Sequence, residues 1–227
     1  MPVSPWFYTN LPGKNWLWRG DDLWHERWQQ VIDIKPTLVE ILTWNDYGES
    51  HYVGPLPPAE IANQSMPAGS WYADYMPHDA WLNDLPYYIA QYKGQPMPDQ
   101  SHVTIWYRLN PAGACSADGT LCNTETQGQS TTAPEDCDVD AIFFTAFVPS
   151  SVTATVHITI GDNQATSVTA SSPGIFHSSI PFNGQTGTVN IWYTGSDGSS
   201  ISPVACPAIT TDCQNGKVNW NAWVGGS

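Results

Sequence analysis

The densest polar and aromatic stretch of the chain, Thr43 to Tyr52, carries two carboxylates three residues apart. These are Asp46 and Glu49, set among Trp44, Asn45, Tyr47, His51 and Tyr52. Two acids in unequal surroundings can do complementary work: an apolar wall holds one protonated while hydrogen bonds keep the other ionised. Cleavage of a glycosidic bond needs that division, with a general acid for the leaving oxygen and a carboxylate to activate water. Aromatic rings beside the acids suit sugars, whose C–H faces stack on rings while their hydroxyls meet Asp, Asn and His. The stretch begins where the apolar run 37–44 ends, and loops after strand C-termini build the active sites of α/β barrels. A plainer reading of the same residues stands beside this one: Asp46 caps a turn, Glu49 is solvated, and Trp44 and Tyr47 are core.

Other chemistry-bearing residues are more ambiguous. Asp21 and Asp22 fit a helix N-cap, as do His78 and Asp79. Arg108 follows a strand-like run and is positioned to line the same mouth, to orient a carboxylate, or simply to form a salt bridge. The acidic run Glu135–Asp140 is a calcium candidate by composition, but its spacing is not that of an EF-hand loop and a solvated face is the better reading. Asn63-Gln64-Ser65 fits the N-glycosylation pattern. The chain carries no Walker A loop, GxGxxG, HExxH or GxSxG motif. No metal and no cofactor are expected.

The elements that must position these groups divide near residue 123. Nine of the twelve Trp and six of the seven basic residues precede it, and a Ser/Thr/Gly/Val-rich segment follows. Residues 123–134 read as a polar linker, so the expected domains are 1–123 and 124–227. In the first, Trp24, Trp28, Val31 and Ile32 have helical spacing that ends at Pro36. A second helix takes in Trp81, Leu85, Tyr88, Ile89 and Tyr92, bent by Pro86 and stopped by Gly94. Runs 4–8, 37–44 and 102–107 read as strands, giving a β-α-β-α-β order with parallel strands. In the second domain, strands are expected at 141–148, 152–160, 164–170, 174–181, 187–194 and 217–224, the content of a β-sandwich.

With 21 acidic against 7 basic residues and a formal charge of −14, the surface would repel nucleic acid and anionic membrane. No apolar run approaches the ~20 residues of a membrane-spanning helix. Five cysteines include two pairs at C-x6-C spacing, Cys115 with Cys122 and Cys206 with Cys213. That spacing suits local disulfides rather than zinc and implies an oxidising compartment, with Cys137 left over.

Residues 4–12, 16–22 and above all 43–52 resemble the fungal α-1,3-glucanases, or mutanases, of glycoside hydrolase family 71. The resemblance is strong over residues 3–123 and looser beyond. It implies the C-terminal portion of a (β/α)8 barrel followed by a β-sandwich, in a secreted, monomeric enzyme that cleaves α-1,3-glucan internally with inversion. By analogy with the related endo-α-mannosidases, Glu49 is expected as general acid and Asp46 as general base, with Trp44, Asn45, Tyr47, His51, Tyr52 and Arg108 lining the sugar sites. The resemblance further implies that the chain starts inside the barrel, as an N-terminally truncated form with weak or no activity. The alternative is a non-catalytic carbohydrate-binding or structural remnant.

Overall fold

The computed structural model describes residues 1–58 and 68–227. The Asn63 glycosylation pattern lies outside the described residues. The architecture is mixed α/β, mostly sheet, in several sheets. Strand β1 (Pro2–Val3) precedes a hairpin of β2 (Phe7–Leu11) and β3 (Lys14–Trp18), followed by helix α1 (Leu23–Ile34) and β4 (Glu40–Ile41). A short α2 (Ser70–Ala73) and a 3-10 turn (Asp79–Asp84) lead into α3 (Leu85–Lys93), β5 (His102–Arg108) and β6 (Leu121–Cys122). The rest is strand: β7 (Ala141–Val148), β8 (Ala154–Ile160), β9 (Thr166–Thr169), β10 (Gly174–Pro181), β11 (Gly187–Gly195), β12 (Ser200–Ile209) and β13 (Ala222–Gly226).

Local chemistry explains the first elements. Trp24, Trp28 and Val31 form the buried stripe of α1, as their spacing predicts, and Lys35 takes a left-handed conformation (φ 51°) just before Pro36. Pro86 opens α3 instead of bending it, because the first helical turn has no hydrogen bond for proline to remove. Gly94 closes that helix at φ 65°. The β2–β3 hairpin turns on Pro12 and Gly13, proline fixing the first turn position and glycine supplying φ 77° at the second.

Three parallel strands in sequence are not what forms. β1 and β4 pair in parallel around α1, but over two residues each, since the apolar run 37–44 has only the short β1 beside it. Leu38 is accordingly 78 % exposed. β5, the expected third strand, instead joins the antiparallel sheet β10-β7-β5-β13. That sheet runs across the expected boundary at residue 123, so the two expected domains share it. The presumed linker is folded too: Cys122 exchanges backbone hydrogen bonds with Thr132, and Asn123 N donates to Leu17 O at 2.8 Å.

β5 and β7 alternate between two cores. Val103, Ile105, Tyr107, Ile142, Phe144 and Ala146 face a second antiparallel sheet, β12-β11-β8-β9. Trp106, Phe143 and Phe147 face Trp24, Trp28, Trp81 and Tyr88 of the helices. β12, absent from the expected strands because Pro207 and Cys206 interrupt its pattern, is an edge strand, where proline is tolerated. Among the described residues, no helix is long and apolar enough to cross a membrane.

The disulfides differ from the local pairs expected. Cys115 bonds Cys213 and Cys122 bonds Cys137, with Cα separations of 6.4 and 5.8 Å. Cys206 is unpaired, since its place opposite Val189 in β11 buries it between the sheets, where burial pushes its thiol up to about 12. Peptide mapping without reduction should therefore recover 115–213 and 122–137 crosslinks, with Cys206 alkylated only in denaturant. A 115–122 or 206–213 crosslink would contradict this fold.

Candidate active site

The segment leaving β4 folds back on itself. Thr43 N donates to His51 O at 3.2 Å, His51 N to Asp46 O at 3.0 Å, Val53 N to Thr43 O at 2.9 Å and Gly54 N to Trp44 O at 2.9 Å. Between these rungs lies a 3-10 turn, Tyr47–Glu49, ended by Ser50 at φ 51°. The result brings one oxygen each of Asp46 and Glu49 and one ring nitrogen of His51 within 4.8 Å of one another. Asp46 is also held through its backbone N–H, which donates to Thr43 Oγ1 at 3.0 Å.

Two of the three groups already have side-chain partners. Lys14, at the tip of the β2–β3 hairpin, pairs its ammonium with Glu49 while lying 5.6 Å from the Trp16 ring centre and 5.8 Å from that of Phe7. Ser4 Oγ hydrogen-bonds His51 Nε2. Burial lowers the His51 pKa, opposed by the Asp46 charge, which favours a neutral imidazole. Three such ligand atoms are a donor set suited to a cation, yet the charge at Glu49 here is met by Lys14. The sequence reading missed Lys14 and Ser4. The signal for Lys14 was the Pro12–Gly13 turn, which sets it at the start of a returning strand.

The other expected site residues separate into two groups. Trp44 is 60 % exposed beside the acids, and Gly54 permits this placement, since a Cβ there would fall 2.9 Å from the indole ring. Asn45 is exposed, and Tyr47 is half-buried with its hydroxyl donating to Pro55 O at 3.0 Å. Tyr52 is fully buried and stacked on His78 at 4.0 Å between ring centres, so it supports the turn and does not line a sugar site. The support extends to the C-terminal strand. Asn221, wholly buried, donates to the Tyr52 hydroxyl (3.2 Å) and to Tyr72 O (3.0 Å), and Tyr72 OH donates to Gly48 O (2.7 Å), midway between the two acids. His78 bridges Tyr52 O (3.0 Å) and Ala222 O (2.9 Å).

Arg108 is not at this site. Its strand is buried on both faces, so its guanidinium meets Asp140 Oδ1 (2.5 Å), Asn110 O (2.8 Å) and Asp138 O (3.1 Å), and lies 4.4 Å from the Trp220 ring centre. Asp140 in turn serves this arginine. Asp21 and Asp138 complete the cluster as a reciprocal clasp, in which Gly20 N donates to Asp138 Oδ1 (2.8 Å) and Val139 N to Asp21 Oδ2 (3.2 Å). Asp21 Oδ1 and Asp138 Oδ2 are buried without partners. Desolvation is the main cause that raises Asp21 to about 7 and Asp138 well above its ordinary value.

A sequence profile described as Glycosyl hydrolase family 71 matches residues 1–227. A mutanase from Penicillium rubens is 39 % identical over 160 residues, covering 68 % of this chain and 33 % of the relative. A glucan endo-1,3-alpha-glucosidase from Schizosaccharomyces pombe is 32 % identical over 228 residues, 99 % of this chain and 49 % of the relative. The ascus wall endo-1,3-alpha-glucanase of the same yeast is 31 % identical over 163 residues, 69 % and 36 % respectively. The chain thus spans between a third and a half of the length of these curated relatives. No solved structure matches it.

The Asp21–Asp138 clasp has a pH signature. The folded state keeps a proton that the unfolded chain releases near pH 3.8, so this contribution is present at low pH and fades as pH rises through about 7. Between pH 4 and 8, Asp21→Asn should gain stability relative to wild type, increasingly so toward the alkaline end. Urea unfolding at several pH values measures it. A difference that does not change with pH would contradict the raised pKa of Asp21.

Proposed function

The chain belongs to glycosyl hydrolase family 71, and on that premise we propose that the turn 43–52 is the core of a site that hydrolyses α-1,3-glucan. The observation that carries the reading is the convergence of Asp46, Glu49 and His51 beside the exposed Trp44, directly after a strand that pairs in parallel. Trp44 offers a face for a sugar ring, and Asn45, Tyr47 and His51 offer polar groups for its hydroxyls. Glu49 protonates the glycosidic oxygen as the bond to the anomeric carbon breaks. Asp46 takes a proton from the water whose oxygen attacks that carbon.

The spacing bears on stereochemistry. Inversion, with a water between the acids, takes carboxyls about 6.5–9.5 Å apart, whereas the nearest functional atoms here lie within 4.8 Å. Lys14 holds Glu49 in that arrangement. Its withdrawal would free Glu49 both to carry a proton and to move away from Asp46. The substrate is an insoluble, uncharged polysaccharide, cut internally by a monomeric protein, and the two disulfides support an extracellular location. In the wider architecture, β1-α1-β4 is read as part of a (β/α) barrel, and the two four-stranded sheets as the sandwich beside it.

The closeness of the acids, with Glu49 ion-paired to Lys14, also favours a second reading, a chain that binds glucan without cutting it. Release of reducing sugar from insoluble α-1,3-glucan separates the two. Hydrolysis by the wild type should fall by about 10²–10⁴-fold in both Asp46→Asn and Glu49→Gln, and the anomer first released, seen by NMR, reports the stereochemistry. Retained activity in both variants would refute the assignment. Sedimentation with glucan but no sugar release by the wild type would favour the binding reading.

A further inference from the structure

From the cavity on the outer side of the β2–β3 hairpin, we infer that Trp16 forms a second sugar-binding subsite that receives a neutral glucan chain extending from the acid pair. The inference rests on the reading of Asp46 and Glu49 as the centre of a glucan site, and it deepens that reading by saying where the polymer runs.

The cavity encloses about 290 Å³ and is lined by Trp16, Asn15, Leu121, Asn123, Glu125 and Thr126, among others. That volume is at the lower end of the ~300–1,000 Å³ typical of small-ligand sites, and suits one or two sugar rings rather than a long helix or peptide. The composition suits sugar as well. A large indole and Leu121, 44 % exposed, supply an apolar wall, while amide and hydroxyl groups stand around it with a single acid, Glu125. In a chain of net charge −14 with 7 basic residues, a wall this poor in charge selects for a neutral ligand.

Side-chain contacts link the wall of the cavity to the acid pair. Lys14 Nζ pairs with Glu49 and lies 5.6 Å from the Trp16 ring centre, so one side chain separates the acid from the indole. Phe7, itself buried, lies between, stacked at 6.4 Å from the Trp16 ring and edge-on to the His51 ring at 6.0 Å. Trp16 thus stands one side chain away from the central site along the hairpin.

The far wall is held in place. The 122–137 disulfide closes the loop that bears Asn123, Glu125 and Thr126, and Thr124 caps the short turn Glu125–Gln127 through its side chain. Trp18 Nε1 donates to Gln129 Oε1 at 3.1 Å, tying that loop to β3. A wall ordered before binding loses little conformational freedom when a ligand arrives, which is what a recognition site requires. The segment that composition presents as a linker is thus the fixed side of a pocket.

The test uses the whole 227-residue chain bearing Asp46→Asn, so that binding is measured without turnover, titrated by calorimetry with soluble α-1,3-linked glucose oligomers of two to six units. Trp16→Ala, or Leu121→Arg at an exposed position if that variant fails to fold, should weaken binding of the longest oligomer at least tenfold. The dimer should be nearly unaffected, and Trp16→Phe should restore most of the loss. Equal affinity for the hexamer with and without Trp16 or Leu121 would overturn the subsite while leaving hydrolysis untouched. Trp16-dependent binding of the hexamer by a chain whose wild type never cleaves it would sustain the subsite and sink the hydrolase reading. No binding of any oligomer by the Asp46→Asn chain would overturn the subsite as well.

Discussion

Strand β5 has no exposed residue, and much of the molecule is arranged around that constraint. Its odd-numbered residues enter the layer between the two antiparallel sheets, while Trp106 enters the aromatic layer beneath the helices. A sheet covered on both faces ties two cores into one unit, so neither can loosen alone. Truncating an aromatic residue in such a layer costs about 3–5 kcal/mol. The polar residues of the strand must also be satisfied in place. Thr104 donates to Asp84 (2.5 Å), His102 hydrogen-bonds Thr104 (2.8 Å), and Arg108 gathers Asp138 and Asp140. Each would be an uncompensated buried group if its partner were lost.

From β5 the order passes to the candidate site through β13. That strand pairs Ala222 with Arg108 and Gly226 with Thr104, which fixes the residues just before it. Asn221 then reaches Tyr52 and Tyr72, and Tyr72 reaches the Gly48 carbonyl. The acids sit on a single turn closed by its own backbone hydrogen bonds, and the far end of the chain fixes where that turn stands. Preorganisation of this kind is what catalytic groups require, and here it comes from a segment some 170 residues downstream. Lys14 acts from the other side, through the hairpin, and sets the charge that Glu49 sees.

What the sequence made legible follows from the range of the forces involved. α1 is readable because Trp24, Trp28 and Val31 repeat at helical spacing, and β7, β8, β10 and β11 because turn residues bracket them, with β8 and β11 also alternating. The acid pair and His51 were readable because one short segment carries all three. Arg108, Tyr52 and the disulfides were misplaced because their surroundings are built by segments far away in the chain, and spacing holds no record of that. Cys115 lies seven residues from Cys122 yet bonds Cys213, since the chain turns away between them. The Pro12–Gly13 turn is a local signal, and it places Lys14 at the start of the returning strand. α-1,3-Glucan itself came from the resemblance and never from composition or period.

The most direct measurement of this account is amide hydrogen exchange in Asn221→Ala. Loss of the two Asn221 donors should release Tyr72 and Tyr52, so that exchange speeds up at the amides of residues 47–53 while those of β5 and β7 stay protected. Unchanged exchange at 47–53 would show that the turn holds its acids without the C-terminal strand. Faster exchange throughout β5 and β7 would mean that Asn221 supports the whole core rather than the site, and either result would contradict the account.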